Sequence, residues 1–216
     1  MTHFDLGDGR RLTLDQAARK LELRARLPGA YVFDRATHAL RQARALGLGV
    51  EGRLDLAFAS SWLVNSPATS AGLRDLSLGP NFVRLVTLTQ AISDLTDDCP
   101  AAQWLEIEGA VDHLAGALGP KAALGAEVLS KVLALVLPET VPLLPEPACR
   151  LLLGEPPAAP GARFARCLEV FREATRALET ELIPIARAHS LAVLDAAQVL
   201  DRLLWFDSEG HRHFPS

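Results

Sequence analysis

The chain has 216 residues, 49% of them hydrophobic and 22% charged, with a formal net charge of −4. So apolar a chain can build a sizeable core without disulfides or metal, and 22 basic residues against 26 acidic ones lack the cationic excess that a dedicated nucleic-acid binder spends on phosphates. Cys99, Cys149 and Cys167 form no CxxC pair, the N-terminus has no signal-peptide layout, and no apolar run reaches the length of a membrane span. The expectation is a cytoplasmic protein without membrane contact.

Alanine and leucine, both strong helix formers, dominate the apolar residues, so composition points to an all-α protein. Before the first helix, Phe4 to Leu14 alternate around Asp8-Gly9, which predicts a short hairpin or extended arm over residues 1–14. Thr13-x-x-Gln16 is a capping box that opens a helix ending before Pro28-Gly29. A second helix is expected from Asp34 to Leu46, closed by Gly47 and Gly49, and a third over "RLDLAFASSWLVN", stopped by Pro67. A short piece at Ala71–Leu78 leads to a helix from Asn81 to Asp94. Beyond Pro100, Trp104, Ile107, Val111, Leu114 and Leu118 recur at three- and four-residue steps and mark one apolar face.

Lys121 to Leu137 is apolar on most sides and is read as the central helix. Pro138, Pro142, Pro145 and Pro147 forbid helix between them, and Pro147 starts a short one closed by Gly154. "EPPAAPG", residues 155–161, is a Pro-rich loop. The longest helix is expected from Ala162 to Ile183 and the last from Leu191 to Phe206. Together these make one domain, 1–216, of roughly nine helices.

Few motifs carry chemistry. "GLGVEG", Gly47 to Gly52, has the spacing of a dinucleotide loop, but a helix rather than a strand precedes it, so it reads as an inter-helix turn. Asp94, Asp97 and Asp98 in a Pro-bounded turn read as structural. His211 and His213 make an HxH pair near the C-terminus with no third ligand fixed in position, and no metal or other cofactor is expected.

"LAGALGPKAALGAEVL", from Leu114, resembles the hairpin of helix-hairpin-helix DNA glycosylases, usually written L-P-G-[VI]-G-[PR]-[KT]-x-A. The glycine turn here, Gly116 to Gly119, is one residue longer. The resemblance implies a phosphate contact at Gly119, a nucleophilic lysine at Lys121 and, eighteen residues on, an assisting acid at Glu139. "TVPLLPEP" stands where those enzymes have V-D-[TS]-H. In a second register, "VLSKVLALVLPETVPLLPEP" is similar to a segment of uncharacterised bacterial all-helical proteins grouped with the same superfamily. That match aligns Ser130-Lys131, Pro138 and Pro142, sets Pro145 where the Asp stands, and matches Asp201 and Trp205 in the last helix. The likeness implies a glycosylase-like C-terminal half, with Lys131 or Lys121 in a pocket and Gly119, Ser130, Asp201 and Trp205 as binding residues.

Two functions follow. One is a non-catalytic binding or scaffold protein acting through a protein partner or self-association. The other is a glycosylase-like protein that contacts DNA or a nucleobase, without full glycosylase activity. Lys131 also has an ordinary role open to it, because Glu127 precedes it by four residues, the favourable order for a helix-surface pair. The sequence does not decide whether the chain is an enzyme.

Overall fold

The computed structural model describes residues 3–5, 11–61, 73, 76–118, 122–188 and 195–208. Two short antiparallel strands, β1 (His3–Asp5) and β2 (Arg11–Thr13), pair in the register His3 to Thr13. Ten helices follow among the described residues, so the protein is all-α with a small N-terminal hairpin. They are α1 (Leu14–Ala25), α2 (Pro28–Ala45), α3 (Val50–Ser61), α4 (Gly79–Ser93) and α5 (Ala101–Ala117). After them come α6 (Ala122–Val136), α7 (Glu146–Leu153), α8 (Pro160–Ala177), α9 (Glu179–Ala188) and α10 (Ala196–Ser208). None of these is long and apolar enough to cross a membrane.

The helix ends follow local chemistry. Thr13 accepts from the Gln16 amide while the Gln16 side chain accepts from Thr13 N–H, so the expected capping box is formed. Helix α2 begins six residues earlier than expected, because Pro28 occupies its first position, where a missing N–H costs nothing. Gly47, at φ +88°, makes the turn into α3, as the inter-helix reading of "GLGVEG" requires. The expected long helix is instead α8 and α9, parted at Leu178. Pro184 lies farther on, inside α9, where its missing N–H leaves the Thr180 carbonyl without a helical donor. Of the other expected segments, 62–65 and 191–194 lie outside the described residues, as do 71, 72, 74 and 75.

One connected core draws on every helix, from Ala17 and Leu21 in α1 to Leu203 and Leu204 in α10. Its middle is α6, where Leu129, Val132, Leu133, Leu135 and Val136 are all buried. Helix α5 packs on both α6 and α8. Two glycines set the spacing: a Cβ at Gly125 would lie 2.5 Å from the Ala115 carbonyl oxygen, and one at Gly161 only 2.2 Å from that of Glu108. Helix α8 has no cap of its own at Ala159, so Asp112 of α5 reaches over and accepts from Gly161 N–H at 2.7 Å.

Candidate functional site

The proline segment after α6 is held by two of the residues that the sequence singled out. Ser130 sits fully buried in α6, where its hydroxyl donates to the Glu127 carbonyl (2.8 Å) and accepts from Leu144 N–H (3.2 Å). Asp201 of α10 accepts from the neighbouring Leu143 N–H at 2.7 Å. A segment with prolines at 138, 142 and 145 cannot satisfy its own amides by helix, so two side chains from flanking helices do so.

Asp201 is 7% exposed, and burial pushes its carboxyl up to about 6. The Leu143 amide and the cations Arg24 and Arg202 pull against that rise, while Asp34 adds to it. Around it lies a buried charge cluster. Arg24 of α1 and Arg202 of α10, 3% and 4% exposed, each donate to one oxygen of Asp34 in α2, both at 2.9 Å. Arg202 also donates to the Gln198 carbonyl at 2.8 Å, and burial lowers its pKa. The Arg24 guanidinium lies 5.5 Å from the ring centre of Trp205, within cation–π range. The Nε–H groups of Arg24 and Arg202 are buried without a partner. Lys20 of α1 pairs with Asp207 at the far end of α10.

At the near end of α10, Asp195 and Gln198 form a second capping box, with Gln198 N–H donating to Asp195 at 2.9 Å. Arg41 of α2 donates to the Gln198 side chain at 2.8 Å and lies 3.7 Å from Asp195. Burial raises the Asp195 carboxyl above its ordinary range. One side of α10 therefore carries Gln198, Arg202 and Trp205, engaged by Arg41 and Asp34 of α2 and Arg24 of α1, while the adjacent Asp201 holds the proline segment.

The structure brings Ser130, Asp201 and Trp205 into this region but engages the two other described candidates elsewhere. The Lys131 ammonium rests 2.8 Å from Glu127 of its own helix, with both side chains about a third exposed. Glu139 pairs with Arg44 of α2. Beside that pair Arg53, buried in α3, donates to the Val136 carbonyl at 3.0 Å, on the electronegative end of α6. Gly119 and Lys121 lie outside the described residues, as do His211 and His213.

Sequence reading missed Arg24, Asp34, Arg53 and Arg202. A signal for two of them was present: Ala17, Leu21 and Arg24 follow the i, i+4, i+7 stripe of a buried face, and Arg53 stands beside Leu54 on another. No protein-family model, no curated protein and no solved structure matches the chain.

Proposed function

We propose that the protein is a non-catalytic helical binding protein that works through contact with a protein partner or a second copy of itself, in the reducing cytoplasm. One observation carries this reading: the described side chains that catalysis would recruit are committed to structural partners. A lysine that attacks a sugar needs a lone pair freed by burial or by a neighbouring charge. Lys131 instead meets a carboxylate of its own helix at a part-exposed surface. Ser130 and Asp201 are occupied by the amides of the proline segment. Support for protein contact comes from Leu46, Leu78, Val83 and Leu105, each more than 60% exposed and all lying between residues 46 and 105.

The test uses duplex DNA carrying an abasic site, treated with borohydride in the presence of the protein, together with DNA binding at 50 mM and 200 mM salt. The binding-protein reading expects no trapped adduct and no salt-steep affinity. An adduct lost in Lys131→Ala or Lys121→Ala would overturn it in favour of chemistry. Tight binding that falls steeply with salt, and less steeply in Lys121→Ala, would replace the protein partner with DNA.

A further inference from the structure

The geometry points to α1 as a releasable strap over α10, tethered more by charge than by apolar contact, whose lifting bares Trp205 and the Arg202–Asp34 pair. Three features of the α1 interface support this. First, its contribution to the core is small. Ala17 and Leu21 are the buried apolar side chains described in α1, whereas α6 buries an almost continuous run from Leu129 to Val136. Second, its polar anchors are ionic and lie along its length. Lys20 pairs with Asp207, and Arg24 reaches Asp34 and lies over Trp205. Third, docking α1 buries a guanidinium whose Nε–H has no partner, and an unsatisfied buried donor weakens the docked state.

The rest of the molecule does not need α1 to stay in place. Helix α2 is packed on α3 and α6 as well as on α1. Arg202 keeps Asp34 when Arg24 leaves, so lifting α1 removes one cation from that carboxylate without stranding it. The chain also has a natural pivot: α1 ends at Ala25, and α2 starts at Pro28 after an extended Leu27 that has no side-chain cap. Units with few buried apolar contacts open locally before the global fold does. Here the uncovered surface presents an aromatic ring beside a guanidinium.

Hydrogen exchange of the whole protein, read by mass spectrometry, tests the strap. Amides of residues 17–25 are expected to exchange about tenfold faster than those of 129–136. Raising NaCl from 0.1 M to 1 M, which shortens the screening length from about 10 Å to about 3 Å, should speed the α1 amides by a small factor, since pairs this buried are only partly screened, and leave α6 unchanged. Asp207→Asn should do the same at low salt, while Arg44→Gln, which removes a pair remote from α1, should not. The strap is refuted if α1 and α6 exchange at one common rate. It is equally refuted if α1 exchanges fast but responds neither to salt nor to Asp207→Asn, because charge is then not the tether.

Discussion

At Asp201, the burial that lifts the carboxyl to about 6 also dictates how the protein responds to pH. The folded state holds this proton more tightly than the unfolded chain, whose carboxyl titrates near 3.8. The stabilisation from Asp201 is therefore complete below pH 3.8, is lost as the pH rises through about 6, and is flat above that. Its size is on the order of 3 kcal/mol. Asp201→Asn keeps an acceptor for Leu143 N–H and removes the titration, so urea midpoints from pH 4 to 7.5 should lose this component. The variant should be at least as stable as the parent at pH 7. Asp201→Ala strands the Leu143 amide and should cost about 1–3 kcal/mol. Asp34 is the opposite case, because Asp34→Asn leaves two buried guanidiniums facing a neutral amide. A loss of roughly 3–5 kcal/mol in urea unfolding at pH 7 is expected. Lys131→Ala, by contrast, removes a part-exposed helix pair and should change stability by less than about 1 kcal/mol.

Among the helices, the contacts that matter most are those a glycine permits. Gly161→Ala would set a methyl 2.2 Å from the Glu108 carbonyl oxygen, against backbone that cannot swing aside as a side chain tip would. Helices α5 and α8 must part, the Asp112 cap on Gly161 N–H lengthens, and a loss of about 2 kcal/mol or more is expected. Thermal unfolding should show this as a Tm lower by roughly 4–8 °C. Gly109→Ala, at an exposed α5 position where a Cβ meets nothing within 4 Å, is the control and should hold or raise the Tm. Most helix boundaries were legible in the sequence, because caps and prolines act within a few residues. The capping box at Thr13 and the start of α7 near Pro147 needed only neighbours. The division of α8 from α9 was not foreseen, since the apolar stripe from Phe164 to Leu182 continues through it while the backbone does not.

Across the whole molecule, charge is divided along the chain and rejoined in space. Residues 1–53 hold ten basic and six acidic side chains, and the remainder holds twelve and twenty. The two regions meet through Lys20–Asp207, Arg41–Asp195 and Arg44–Glu139, with Arg202–Asp34 in the opposite sense. A double-mutant cycle on Arg44→Gln and Glu139→Gln should return a coupling of about 0.2–1 kcal/mol that shrinks with salt, as suits partners a third to a half exposed. This division also limits what a reading of the chain could find. The sequence by itself determined the helical class, the central place of α6 and the break after it, because helix propensity, apolar spacing and proline stereochemistry are local. At the N-terminus it left a hairpin or an arm open, and the pairing of β1 with β2 decided for the hairpin. Only the tertiary structure decided that Asp201 and Ser130 hold the proline segment, that Asp34 serves two buried arginines, and that Glu139 pairs with Arg44. Those bonds join residues from 10 to 168 positions apart. No periodicity encodes which distant charge a buried one will meet, because desolvation forces a partner to be found and packing alone settles which.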